Sequence, residues 1–506
     1  MPRLVHQNDR WALMVDGAPF FMLGGQVNNS SAWPYALPKV WPAIETLHAN
    51  TVEVPIAWEQ IEPVEGKFDF SFLDLLLTQA RQHHVRLVLL WFGAFKNTGP
   101  SYAPSWVKLN NTRFPRVINA KGETTYALSP FAGSTLDADR TAFTAFMHHL
   151  KQVDPQRTTI MVQVENETGI YGAVRDYGPA AQKLFEGPVP DEIVKALGKT
   201  PGTWSEVFGK DADEFFYAWG VAHYVDQVAA AGKSEYPLPY YVNAALRDPF
   251  HYQDPLTFAS GGPTWDVLDI WKATTKSIDV LGPDIYMHDY PSYMKTLDQY
   301  ARLDNPLFVP ETANTQDAPR FVYEVLGRGG IGFSPFGMDF TGYVNYPLGA
   351  AKAEEALEDF GRNNRLIEPA MRQLAALNLQ GKVWGLAEPS DKHELTLSMG
   401  RWQATVSYGR PQFGGDAPKG NTPPLGGVVI AEVGPDTYEV IGHFARVNFA
   451  PAGDSGIRNW VYDKVEEGHF ENGGWVFDRI WNGDQIDYGL NLTADNEILR
   501  VHLGTY

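Results

Sequence analysis

Over the first ~375 residues the chain alternates short apolar runs with amphipathic stretches. Phe20 to Gly25 predicts a first strand, and Leu37 to His48 a helix with Val40, Trp41, Ile44 and Leu47 on one face. Thr51 to Ile56 and Phe70 to His83 repeat the pair, and Arg86-Leu87-Val88-Leu89-Leu90-Trp91 is a third strand. Asp137 to Val153 is helical, and Thr159 to Glu165 is the fourth strand. Tyr240 to Asn243, Asp279 to Tyr286, Leu307 to Glu311 and Gly330 to Ser334 supply four more, and a helical stretch follows from about Ala350 to Leu377. Eight such repeats predict a closed parallel (β/α)8 barrel of the TIM type, with a doubly wound open sheet as the competing fold.

After about Val383 the texture changes. Glu394 to Met399, Trp402 to Tyr408, Val428 to Val433 and Tyr438 to Ile441 are short strands spaced by Gly, Pro, Asn and Asp. That pattern predicts a barrel over residues 1–383 and an antiparallel β-sandwich over 384–506, packed against it. Phe413 to Gly427, rich in Gly and Pro, is expected to be a long exposed loop. The segment from Gly169 to Gly209, holding Tyr171, Tyr177, Phe185 and Trp204, is expected to wall a cleft at the barrel mouth.

Charge narrows the partners. The 41 Lys and Arg against 60 Asp and Glu give a net charge of −19. This disfavours nucleic acid and anionic membrane surfaces and points to a neutral ligand. With no Cys in the chain, disulfides, thiolate metal sites and Cys nucleophiles are excluded. Met1 to His6 shows no apolar run of signal-peptide type, and no stretch is long enough to span a bilayer. The compartment stays open between the cytoplasm and an extracytoplasmic space, and a homodimer is compatible with the sequence.

The residues that carry chemistry are two carboxylates. Glu167 follows strand four in Gln163-Val164-Glu165-Asn166-Glu167, and Glu311 ends strand seven in Phe308-Val309-Pro310-Glu311. Active sites of such barrels lie at the C-terminal ends of the strands, and strands four and seven face each other across the mouth. Glu165, on the strand itself, is read as a structural carboxylate. Adjacent pairs such as His148-His149 point in different directions on a helix and make poor metal sites. Gly327 to Gly332 spells GxGxxG but runs from helix to strand, the wrong order for a dinucleotide fold. No metal or cofactor is expected.

An Asn-Glu pair after strand four and a lone Glu ending strand seven resemble clan A glycoside hydrolases. Gln163 to Glu167 with Gly169, Asn50-Thr51-Val52-Glu53, and Glu62-Pro63 through Gly66 to Phe68-Asp69-Phe70 are similar to glycoside hydrolase family 35, the β-galactosidases. The chain departs from that family after strand three, where Trp91 to Asn97 stands in place of an Ala-Glu-Trp stretch. It departs again after strand one, at Gly25-Gln26-Val27-Asn28-Asn29, as in a divergent branch shared with family 42-like enzymes. The resemblance implies a retaining, exo-acting β-galactosidase that trims terminal galactose from oligo- or polysaccharides such as xyloglucan. In that reading Glu167 is the acid/base and Glu311 the nucleophile. Asn166 binds the sugar 2-hydroxyl and Tyr286 steadies Glu311. Lys96, Asn97 and Asn243 bind the substrate, and Trp58 and Trp91 form sugar platforms. Another clan A enzyme, a β-mannosidase or an endo-glucanase, is the alternative, and a sugar-binding protein on an inactive barrel is the non-enzymatic one.

Overall fold

The computed structural model describes residues 1–352, 354–410, 412–453, 455–494 and 498–506. Eight parallel strands close into a barrel: β1 (Met22–Gln26), β2 (Thr51–Ala57), β3 (Arg86–Lys96), β4 (Thr159–Asn166), β5 (Tyr240–Ala245), β6 (Val280–Ile285), β7 (Phe308–Thr312) and β8 (Gly332–Pro335). β8 pairs back to β1 through Gly332 opposite Met22, which closes the sheet and rules out the open alternative. These strands are buried on both faces, which is why they read as continuous apolar runs rather than alternating ones.

One principal helix follows each strand: α1 (Leu37–Leu47), α2 (Ser71–Gln82), α3 (Gly133–Val153), α4 (Ala212–Glu235), α5 (Leu268–Thr274), α6 (Tyr290–Tyr300), α7 (Phe321–Gly327) and α8 (Glu354–Ile367). α1 shows how the sequence sets these units. Val40, Trp41, Ile44 and Leu47 are all buried against the barrel. The helix stops at His48, whose φ of 48° is left-handed. Two residues on, Asn50 accepts from the Leu23 N–H at 3.0 Å and donates to the Phe21 carbonyl at 3.1 Å, locking β2 to β1. The loop after β2 is pinned in the same way. Glu62 accepts from Trp58 Nε1 at 2.9 Å and from the Gly66 N–H at 2.7 Å.

Before β1, three antiparallel strands (Arg3–Gln7, Arg10–Val15, Ala18–Phe20) form a small sheet that the hydrophobic pattern does not announce. After α8, ten strands make two antiparallel sheets. They are β9 (Val383–Ala387), β10 (Leu395–Met399), β11 (Trp402–Tyr408), β12 (Gly427–Gly434), β13 (Thr437–His443), β14 (Ala445–Pro451), β15 (Trp460–Glu471), β16 (Gly474–Trp481), β17 (Leu490–Leu492) and β18 (Ile498–Thr505). The orders are β9-β12-β13-β18-β15-β16 and β10-β11-β14-β17. This unit docks on α7. The Gly385 backbone passes so close to Tyr323 O that a Cβ there would sit 1.9 Å from it, and Arg320 Nε donates to Glu388 O at 2.9 Å. The loop between β11 and β12 is exposed for most of its length but held by Glu388, which accepts from the Asn421, Leu425 and Gly426 N–H groups. Among the described residues no helix is long and apolar enough to cross a membrane.

Candidate active site

Where the strands end, a cavity of about 720 Å³ opens, with lining residues drawn from the ends and following loops of every strand but β2. Glu167, one residue past β4, and Glu311, inside the end of β7, both line it. Together with Asp284 of β6, each offers a carboxylate oxygen within 4.8 Å of the others. Glu311 is 3% exposed and collects donors. Tyr286 OH donates to its Oε2 at 2.8 Å. Gln26 Nε2 donates to its Oε1 at 2.9 Å, and the Asn166 and Asn243 amides approach the same oxygen at 3.4 Å each. Burial, reinforced by the Glu311 charge, keeps the Tyr286 phenol protonated and so fixes it as a donor.

Glu167 sits in the opposite environment. Its own N–H is fixed by Asn243 Oδ1 at 2.9 Å, and its carbonyl accepts from the Thr98 N–H at 3.0 Å. Burial pushes its carboxyl up to about 7; Lys96 pulls it down, the Glu311 charge pushes it up, and the neighbouring Asp284 pulls it down again. Two unit charges about 5 Å apart at an effective dielectric of about 20 repel by roughly 3 kcal/mol, so the site favours one anion and one neutral acid. Glu53 on β2, fully buried and accepting from Tyr241 OH at 3.1 Å, is pushed up to about 8 by its burial.

The wall that carries Lys96 is built from buried acids. β3 breaks register with β4 between Trp91 and Lys96, bulging over residues 92–95 before Lys96 pairs with Asn166. Glu165 accepts from the Phe95 N–H at 2.7 Å, and Asp139 of α3 accepts from the Ala94 N–H at 3.2 Å, Trp91 Nε1 at 2.9 Å and Tyr224 OH at 2.7 Å. Gly93 threads between them; a Cβ there would lie 2.6 Å from Glu165 and 2.7 Å from Asp139. Glu165 is thus part of the scaffold, raised well above the usual carboxylate range by burial and by Asp139. So held, Lys96 donates to Asn166 Oδ1 at 2.7 Å and to Asn97, and both Lys96 and Asn97 line the cavity.

Seven of the nine residues expected at the site meet here: Glu167, Glu311, Asn166, Lys96, Asn97, Tyr286 and Asn243. Trp58 and Trp91 do not. Both are fully buried: Trp58 is edge-on to Trp106 and donates to Glu62, and Trp91 is stacked on Phe146 and donates to Asp139. Their faces are taken by the core, so neither can carry a sugar. The segment after β4 also departs from expectation. It folds into three short helices, Pro179–Phe185, Asp191–Ala196 and Trp204–Phe208, tied to α4 by Trp204 edge-on to Phe216 and by the Arg175–Asp213 pair at 2.6 Å. Of it only Tyr171, beside Glu167, reaches the cavity; Arg247 to Pro249 after β5 and Tyr343 to Leu348 after β8 do more of the walling.

Sequence reasoning missed Gln26 and Asp284, single polar residues within apolar strands whose sole signal was that polarity. Among the described residues, Glu167, Asp284 and Glu311 form the one cluster that could ligate an ion.

Residues 36–222 match the family model of the β-galactosidases of glycoside hydrolase family 42, and residues 360–493 match a domain of unknown function, DUF5597. No curated protein matches the chain. Among solved structures the chain is similar to the β-galactosidase of the psychrophilic Marinomonas ef1, with a TM-score of 0.52 and 12% identity over 73% of this chain and 62% of that one. It is also similar to the catalytic domain of a Paenibacillus polymyxa β-amylase, with a TM-score of 0.50 and 13% identity over 67% of this chain and 96% of that one. The β-galactosidase of Rahnella sp. R3 gives 0.48 and 14% over 71% and 58%. The chain spans less than two thirds of the length of either galactosidase. At these identities the likeness concerns the fold. Over residues 36–222 the family indicated is 42, in place of the family 35 expected from the motifs.

Proposed function

We propose that this protein is a retaining, exo-acting β-galactosidase. The observation that carries the reading is the carboxyl pair: Glu167 and Glu311 bring an oxygen each within 4.8 Å, the first raised to about 7 by its enclosure, the second ringed by hydrogen-bond donors. Retaining glycosidases hold their two carboxyls about 5–5.5 Å apart, and inverting ones leave about 6.5–9.5 Å for a water between them. In the proposed cycle Glu167 protonates the glycosidic oxygen while Glu311 attacks the anomeric carbon. Glu167, now a base, then deprotonates the water that releases the sugar from Glu311. Asn166 is locked by Lys96, which leaves its amide beside Glu311, where the sugar 2-hydroxyl must lie.

Galactose is favoured by the family match, and chain-end action by a cavity ringed on all sides but that of β2. A galactose-tipped polysaccharide such as xyloglucan supplies such ends. The test is a panel of nitrophenyl β-D-galactoside, glucoside and mannoside, with the first-formed anomer followed by proton NMR. The galactoside is expected to turn over fastest and to yield the β-anomer first. Preference for mannoside or glucoside would assign another glycosidase, α-anomer first would overturn retention, and binding without turnover would leave a sugar-binding barrel.

A further inference from the structure

Asp284 is the third carboxyl of the cavity, and the acid/base and nucleophile roles leave it without one. It lies on β6 in register with Glu311 on β7, is 3% exposed and lines the cavity. Its Oδ2 accepts from Asn243 Nδ2 at 2.6 Å. The orientation of that amide is settled by its other end, because Asn243 Oδ1 takes the Glu167 N–H at 2.9 Å. One side chain therefore fastens both Asp284 and the Glu167 backbone. The second oxygen of Asp284, Oδ1, is buried and receives no donor. A buried carboxylate oxygen with no donor is costly, whereas the same oxygen carrying a proton becomes a donor itself. The acceptor nearby is the Glu167 carboxyl, an oxygen of which lies within 4.8 Å of an Asp284 oxygen.

The surrounding charges agree. Asp284 faces Glu53 from β2, Glu167 from beyond β4 and Glu311 from β7, against the Lys96 ammonium from β3. The phenols of Tyr171, Tyr241, Tyr286 and Tyr300 complete the shell. Carboxyls crowded in this way cannot all ionise; Glu53 and Asp284 each keep a buried oxygen without a donor, and of the two Asp284 is the one beside Glu167.

We propose that Asp284 is a positioning residue that stays a neutral acid through the catalytic cycle and donates a hydrogen bond to Glu167, oriented for it by Asn243. The proposal rests on the reading of Glu167 as acid/base. In the first half-reaction Glu167 gives its proton to the leaving oxygen and becomes an anion, while the Glu311 anion becomes an ester, so the site carries one negative charge before and after. The Asp284 O–H bond keeps its proton and strengthens as charge grows on Glu167, an interaction made more fully in the transition state than in the ground state.

The test uses the full chain and the best nitrophenyl glycoside of the panel. In Asp284→Asn the amide keeps a neutral donor. The alkaline limb of kcat/KM should stay within about half a pH unit, with kcat down by no more than about tenfold. In Asp284→Leu the donor is gone, so ionised Glu167 is disfavoured. The limb should rise by about a unit, and kcat should fall by about 10–100-fold. Difference infrared spectra of wild type minus Asp284→Asn at pH 7.5 should show a protonated carboxyl band. A limb that falls by a unit or more in Asp284→Asn, or an absent band, would mean that Asp284 is an anion and would overturn the proposal. A limb unmoved in a folded Asp284→Leu would overturn the hydrogen bond to Glu167. If the Leu variant does not fold, the Asn limb and the infrared band still decide. Glu167→Gln separates the two readings: an alkaline limb that persists there sinks the acid/base assignment, while the infrared band reports on Asp284 independently.

Discussion

Replacing Glu167 with Ala removes a group that the fold has tuned. Starting from the ordinary 4.5, burial and its neighbours bring the carboxyl to about 7. At pH 6 a group with that pKa is about 90% protonated, whereas an untuned glutamate would be about 3% protonated, so the enclosure multiplies the working acid about 30-fold. A positioned general acid contributes about 10²–10⁴-fold on top of binding. Glu167→Ala should therefore lose about that much in kcat/KM on a natural galactoside, whose alkoxide leaves poorly. On a dinitrophenyl galactoside, which needs little protonation, the first step should fall by less than about tenfold. The second step lacks its base, so on the dinitrophenyl substrate the galactosyl-enzyme should accumulate as a burst in stopped-flow measurements. Azide, entering the space left beside Lys96, should speed breakdown and yield β-galactosyl azide, because two inversions retain configuration. An α-azide would reverse the assigned roles. Equal losses on activated and natural substrates would show that Glu167 is not the acid.

Tyr286→Phe deletes the 2.8 Å bond to Glu311 Oε2; a charge-assisted bond is worth about 1.5–3 kcal/mol, so kcat/KM should fall by about 10–150-fold, and an unchanged value would mean that Oε2 needs no donor. Trp91→Ala should cost about 3–5 kcal/mol in urea melts and leave KM alone, since the ring is stacked on Phe146; a raised KM at unchanged stability would restore the sugar platform. The raised carboxyls also set the pH dependence of folding. Glu53 at about 8 and Glu167 at about 7 bind protons more tightly folded than unfolded, so the stability they contribute is complete below about pH 4.5 and is lost as pH rises through 7 and 8. Urea midpoints should be higher at pH 5 than at pH 8.5, and this difference should shrink in Glu53→Gln; no shrinkage would mean that Glu53 does not titrate in that range.

The barrel was legible because its strands are buried on both faces: Arg86 to Trp91 is apolar at five successive positions and could be little else. The N-terminal sheet escaped notice although its hairpin carries a readable signal, Asp16-Gly17 at φ of 55° and 81°, since its strands are only three to six residues long and partly exposed. Gln26 and Asp284 were invisible for a different reason. Each is one polar residue in an apolar strand; closure of the sheet brings β1 and Gln26 to the Glu311 carboxylate, and the register of β6 on β7 brings Asp284. Trp58 and Trp91 misled in the converse way: an aromatic near a strand's C-terminal end suits a sugar, but here one ring faces the helix layer and the other is tied down by Glu62. What no pattern could announce is the backbone itself. Glu165, Glu167, Asn97 and Thr98 adopt φ of 65°, 43°, 49° and 67°, conformations that cost non-glycine residues on the order of 1 kcal/mol or more each. Their sequence reads simply as the end of a strand and a loop. The strain is held by contacts made elsewhere in the chain: Asn243 on the Glu167 N–H, the Thr98 N–H on the Glu167 carbonyl, and Asp139 with Glu165 on the end of β3. Glu167 is therefore aimed by Asn243, 76 positions away, and releasing Asn243 should loosen both the acid and Asp284 at once.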